Sequence, residues 1–224
     1  MRILLVRHGQ TTANVHGVLD SAAPGPELTG LGRRQAAALP EALRDRQIDA
    51  IVTSPLTRTE ATARPLLDDR GLQPRELDGV REVESGDLEK LTDEASHHAY
   101  LSAVFAWPRG DLDRAVPGGP DGHTFLARYE EALATVDSWG LESVVVFTHG
   151  AAMRAWSASR VRGIDVAAVR RTPIDNTGLI EVEGSAETGW DLVDLVTHPL
   201  GGPQLAAPAS ADDPTGEPVA PSAR

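Results

Sequence analysis

Ile3-Leu4-Leu5-Val6 runs straight into Arg7-His8-Gly9, and far downstream Val144-Val145-Val146-Phe147 runs into Thr148-His149-Gly150. A short apolar run ended by glycine predicts a strand buried on both faces of a parallel sheet. Each strand then delivers a histidine to its carboxyl end, the rim where open α/β sheets hold their ligands. Two histidines and an arginine meeting there predict a site for an anion and chemistry upon it.

The segments between these strands alternate helix and strand signals. After a turn-rich loop from Asp20 to Pro26, Thr29 is placed to cap an amphipathic helix carrying Leu31, Leu39 and Leu43, which Pro40 should kink or end. Ala50 to Thr53 reads as a strand, followed by Ser54-Pro55 and a helix from about Leu56 to Asp69. A short strand is expected from Pro74 to Leu77, and a helix from about Thr124 to Trp139 leads into the second histidine-bearing strand. A helix after Gly150 and strands near 178–182 and 190–196 close the pattern. The expected fold is α/β, a three-layer sandwich with a mostly parallel central sheet flanked by helices.

Two stretches break the pattern. From 92 to 122 no period persists, and the stretch holds His97, His98, Tyr100, Phe105, Trp107 and Pro117-Gly118-Gly119-Pro120. It reads as an insertion packed over one rim of the sheet, with the character of a lid. From 199 to 224 Pro, Gly, Ala, Ser and Asp dominate, a composition that predicts a disordered tail. One domain, 1–198, is therefore expected.

At 224 residues, 41% of them hydrophobic, the chain can bury one full core. It has no cysteine, so disulfides and thiolate chemistry are excluded. With no apolar stretch long enough to span a bilayer and too short an apolar start for a signal peptide, a soluble cytoplasmic protein is the simplest reading. The net charge of -12, from 21 Lys+Arg against 33 Asp+Glu, argues against nucleic-acid and anionic-membrane partners. An anionic substrate must therefore be held by a few well-placed arginines.

The ordered motifs resemble the histidine phosphatase superfamily, also called phosphoglycerate mutase-like. The residues that carry the resemblance are Arg7-His8-Gly9-Gln10-Thr11 with Asn14 and Gly17, Leu28-Thr29-Gly30-Leu31-Gly32 with Gln35-Ala36, and Ser54-Pro55-Leu56 with Arg58, Thr62 and Ala63. Arg81-Glu82-Val83 with Gly86, and Thr148-His149-Gly150, complete it over residues 2 to 196. The resemblance implies a metal-independent phosphatase that acts on a phosphomonoester of a small metabolite through a phosphohistidine. It places the nucleophile at His8, the general acid/base at Glu82, and the phosphate grip at Arg7, Arg58 and His149. Asn14, Gln10 and the Gly150 amide are expected to bind substrate, with no metal and no cofactor.

These residues suit that chemistry. Phosphoryl transfer is catalysed mostly by positioning and charge neutralisation. A neutral imidazole with one nitrogen tied by a hydrogen bond is a competent nucleophile. Arginine forks match phosphate oxygens, and a protonated His149 would add a third cationic donor. A helix opening at Gly150 would offer its positive end. Glu84 and Glu89 lie close enough in sequence to compete with Glu82 for the acid's role. His97 and His98, being adjacent, cannot face one metal together and lack the spacing of a zinc motif.

The chain departs from the family pattern at several positions. Gln10 stands where glutamate is frequent, Val18 where arginine is common, and Leu88-Glu89-Lys90 where Trp-Glu-Gly is familiar. Pro120-Asp121-Gly122 follows Pro117-Gly118-Gly119 in place of a Glu-Ser motif. The 92–122 stretch supplies only Arg109 and Arg114 as arginines, too few for the basic cluster with which a mutase holds its doubly charged substrate. A phosphatase is therefore favoured over the alternatives, a phosphoglycerate mutase or a non-catalytic module binding a phosphorylated ligand. The oligomeric state is left open, a homodimer included.

Overall fold

The computed structural model describes residues 1–207. In chain order the elements are strand β1 (Arg2–Arg7), helices α1 (Thr12–Val15), α2 (Gly30–Ala37) and α3 (Leu39–Ala42), strand β2 (Ala50–Thr53), helix α4 (Thr57–Arg70) and strand β3 (Pro74–Glu76). Helices α5 (Glu94–Val104) and α6 (Gly122–Asp137) precede β4 (Ser143–Thr148), α7 (Gly150–Arg160), β5 (Val161–Arg162), α8 (Val166–Arg171), β6 (Leu179–Ser185) and β7 (Gly189–Val196). The seven strands form one mixed sheet in the order β3-β2-β4-β1-β6-β7-β5. The β3-β2-β4-β1 half is parallel, while β6 runs antiparallel to both β1 and β7.

Successive side chains of a strand point to opposite faces, so the two apolar runs feed two cores. Ile3, Leu5, Val144 and Val146 pack with Trp107, Phe125, Tyr129 and Trp156 from α5, α6, α7 and the turns between them. Leu4, Val6, Val145 and Phe147 pack on the other side with Leu39, Leu43, Leu66 and Leu67. The result is the expected three-layer arrangement. Thr29 caps α2 by accepting from the Gly32 amide, and Pro40 sits in the first turn of α3, so the predicted single helix is two.

The lid-like insertion expected over 92–122 contains a regular helix. Asp93 caps an eleven-residue helix, α5, whose Tyr100, Leu101, Ala103 and Val104 are buried in the core with Phe105 and Trp107. This stretch is a structural wall of the site, because its apolar side chains are spent on the sheet. Residues 199–207, expected to be disordered, are held against the fold. Leu200 packs in the α2–α4 core, its amide donates to Thr177 O (3.1 Å), and Gln35 Nε2 donates to Leu205 O (2.8 Å). The rest of that expectation, 208–224, lies outside the described residues.

Among the described residues no helix is long and apolar enough to cross a membrane.

Candidate active site

Strands β1 and β4 are parallel neighbours in register, with Arg7 opposite Thr148. The next residue of each, His8 and His149, therefore leaves the sheet at one level, and the rings lie 5.3 Å apart between centroids. Gly9 is required after His8 for close approach: a Cβ there would sit 2.8 Å from Gly32 O at the start of α2. The Gly9 amide donates to Thr62 Oγ1 on α4 at 2.8 Å, which fixes the turn.

The two imidazoles are wired differently. His8 Nδ1 lies 2.8 Å from Gly9 O, and a carbonyl only accepts, so Nδ1 carries the proton. Burial first, then Arg58 and Arg7, hold the His8 pKa well below the ordinary histidine value. The ring is thus neutral near pH 7, and its Nε2 keeps a lone pair. His149 is also kept neutral, by burial and then by Arg58 and His8. Its Nδ1 accepts from Arg58 Nε at 3.2 Å, so its Nε2–H donates to Ser54 Oγ at 2.8 Å. Both nitrogens of His149 are engaged, which corrects the expectation of a protonated third cationic donor. Ser54 in turn donates to Thr59 Oγ1 at 3.0 Å, and Thr59 donates to the carbonyls of Ser54 and Leu56.

Arg7 and Arg58 are both nearly fully buried, at 1% and 3% exposure. Arg7 Nη1 donates to Ile174 O at 2.7 Å. Arg58 Nη2 donates to Asp20 O at 3.1 Å, while its buried Nη1 has no hydrogen-bond partner among the described residues. Arg58 and His8 line the same cleft, and a guanidinium there is suited to donate to an anion.

Glu82 lines the cleft with His8 and Arg58. Its carboxylate accepts the amides of Val83 (2.9 Å), Ala152 (2.8 Å) and Ala151 (3.2 Å). Burial raises its pKa above the ordinary glutamate value, opposed by those amides and by Arg58. The first-turn amides of Ala151 and Ala152 in α7 thus serve Glu82, beside the Gly150 amide that the sequence offers to phosphate. Arg128 holds the segment from outside by donating to Gly79 O (2.8 Å) and Glu82 O (3.1 Å). The two competing acids point elsewhere. Glu84 pairs with Arg81 and Arg128, and Glu89 binds Ser21 and Ser85.

Of the three expected substrate binders, Asn14 reaches the cleft. Its Oδ1 accepts from Thr11 N and Oγ1, both at 2.9 Å, in the capping box of α1, so the capping and site readings coexist. Gln10 does not line the cleft. Its side-chain Oε1 accepts from Thr29 Oγ1 (2.8 Å) and its backbone N–H donates to Gln35 Oε1 (2.8 Å), stapling the loop after β1 to α2. His97 Nε2 lies 2.7 Å from Gly17 O, while His98 is near Ser102. Among the described residues no group of three or more His, Asp or Glu is arranged to hold a metal ion.

Sequence reasoning assigns no individual role to Ser54, Asp20 or Tyr100. Ser54, part of the Ser54-Pro55-Leu56 motif, accepts from His149 and orients it. Asp20 and Tyr100 line the cleft from the Asp20–Pro26 loop and α5, where tertiary folding alone brings them in.

The sequence profile of the histidine phosphatase superfamily (branch 1) matches residues 3–197. The adenosylcobalamin/alpha-ribazole phosphatase of Salmonella typhimurium is 33% identical over 66% of this chain and 74% of its own length. The PE-PGRS family protein PE_PGRS11 of Mycobacterium tuberculosis is 34% identical over 88% of the chain, which spans only 36% of that relative. The solved structure of a mycobacterial glucosyl-3-phosphoglycerate phosphatase complexed with VO3 superposes with a TM-score of 0.71 at 30% identity, covering 88% of this chain and 98% of that one. The class so defined is phosphomonoester hydrolase. Within that class the chain belongs to the histidine phosphatase superfamily.

Proposed function

We propose that the protein hydrolyses a phosphomonoester of a small metabolite in two steps through a phosphohistidine on His8, without a metal ion. The observation that carries this reading is the His8 ring, neutral, tied at Nδ1 to Gly9 O and presenting Nε2 to a cleft shared with Arg58 and Glu82. In the first step the Nε2 lone pair attacks phosphorus in line, the P–O ester bond breaks, and protonated Glu82 gives its proton to the departing alkoxide. In the second, the Glu82 carboxylate takes a proton from water as the water oxygen attacks the phosphohistidine. The P–N bond breaks, returning the lone pair to Nε2, and inorganic phosphate leaves. Arg58 and Arg7 neutralise the phosphoryl oxygens in both steps, the work a divalent cation does in many phosphotransferases. His149 acts by holding the Arg58 guanidinium through its Nε.

The relatives are named as phosphatases of alpha-ribazole and glucosyl-3-phosphoglycerate, which supports a small phosphorylated metabolite as substrate. A mutase is disfavoured because Arg109 and Arg114 are exposed and neither lines the cleft, so the site offers few cations for a second anionic group. Turnover of a generic phosphomonoester in excess chelator, lost on His8→Ala, tests the proposal. Activity that persists in that variant, or that disappears with the chelator, would contradict it.

A further inference from the structure

The loop from Leu19 to Ala22 is fixed against the segment 85–91 more firmly than a surface loop needs. Lys90 N donates to Leu19 O (2.7 Å), Leu19 N donates to Leu91 O (3.0 Å), and Ser21 Oγ donates to Glu89 Oε2 (2.6 Å). This lattice ends at Asp20, whose side chain is nine-tenths buried on the wall of the cleft. Lys90 Nζ holds one carboxylate oxygen, Oδ2, at 2.5 Å. The other, Oδ1, is buried with no hydrogen-bond partner among the described residues. The backbone of the same residue accepts from Arg58 Nη2, so this acceptor stands one residue from the phosphate grip.

Lys90 is one of the positions at which the chain departs from the familiar Trp-Glu-Gly. Its φ is 68°, the left-handed conformation that glycine adopts freely and other residues adopt at a cost. The glycine-type backbone is thus kept while an ammonium is gained, and that ammonium anchors Asp20.

A buried carboxylate oxygen without a donor is costly, and a ligand that supplies the donor recovers that cost. The geometry points to Asp20 as a specificity residue that accepts a hydrogen bond from a substrate hydroxyl close to the ester. The substrate class is then a phosphate ester of a polyol or sugar, in preference to a simple alkyl or aryl phosphate. Asp20 reads the alcohol part and takes no role in the transfer itself. This inference rests on the proposed phosphatase activity at His8.

The test is a ratio of kcat/KM within matched pairs: glycerol 1-phosphate against propyl phosphate, and ribose 5-phosphate against cyclopentylmethyl phosphate. The wild-type protein should prefer the hydroxylated member of at least one pair by about 10- to 100-fold, the range for a hydrogen bond to a charged group. Asp20→Ala should bring that ratio close to one, chiefly through a higher KM for the hydroxylated ester. Because both members of a pair are measured on one preparation, a general loss of activity or stability cancels. Wild-type ratios near one in both pairs, with phenyl phosphate still hydrolysed, would overturn the role of Asp20 and leave the phosphatase reading intact. An unchanged preference in Asp20→Ala would do the same. No turnover of any ester by the wild type would overturn both.

Discussion

The carboxyl ends of β1 and β4 are nearly the same sentence in sequence, an apolar strand followed by histidine and glycine, yet they do different work. On β1 the ring is tied at one nitrogen by the carbonyl of the next residue, which leaves the other for chemistry. On β4 the ring is tied at both nitrogens, by Arg58 and Ser54, which makes it a strut for the guanidinium. Both rings are buried and both are held neutral. In the proposed mechanism the role of each histidine is set by what holds its second nitrogen, a distinction that no motif displays.

The largest expected effect separates the two histidines. His8→Ala should lower kcat/KM by on the order of 10^4- to 10^6-fold, the scale for removing a nucleophile. His149→Ala should cost on the order of 10^2- to 10^3-fold, as for one misplaced oxyanion donor. Steady-state kinetics that ranked the two variants equally would break the asymmetry.

Next comes Glu82→Gln, expected to cost about 10^2- to 10^4-fold on an ester with a poor leaving group. Its pH signature follows from the two shifts. The His8 pKa lies well below 6.5, so the nucleophile stays neutral as pH falls through that value. The Glu82 pKa lies above 4.5, so the acid form is lost as pH rises through that raised value. For such an ester kcat/KM should decline with rising pH, and the decline should vanish in Glu82→Gln. A decline that survives the substitution would assign it to another group.

Smaller effects sharpen the contrast in wiring. Ser54→Ala leaves the buried Nε2–H of His149 without an acceptor, at a cost of about 1–3 kcal/mol in denaturant unfolding, which Ser54→Thr should largely restore. Gln10→Ala should cost about 1 kcal/mol, from the loss of its side-chain hydrogen bond with Thr29 at the cap of α2, with KM unchanged. A raised KM there would return Gln10 to the substrate.

Much of this was legible in the sequence because it depends on local signals. The buried runs at Ile3–Val6 and Val144–Phe147, the Thr29 cap and the Pro40 break each declare themselves within a few residues. The site residues were legible because glycines and prolines punctuate the strand ends that carry them. What was not legible depends on distant partners. Helix α5 hid inside 92–122 because its buried side chains, Tyr100, Leu101, Ala103 and Val104, follow no clean amphipathic stripe. The two-residue β5 exists only through its pairing with β7. The contacts that set Glu82 apart from Glu84 come from Ala151 and Ala152, some 70 residues downstream, and the hydrogen bonds of Gln10 come from Thr29 and Gln35.

The central claim, one nucleophilic histidine and one supporting histidine, is tested most directly by trapping the covalent intermediate. Rapid quench of the protein turning over a labelled phosphomonoester, followed by peptide mapping under alkaline conditions, should place an acid-labile phosphoryl group on His8 and none on His149. Label on His149, or turnover with no phosphohistidine at any time, would contradict the account.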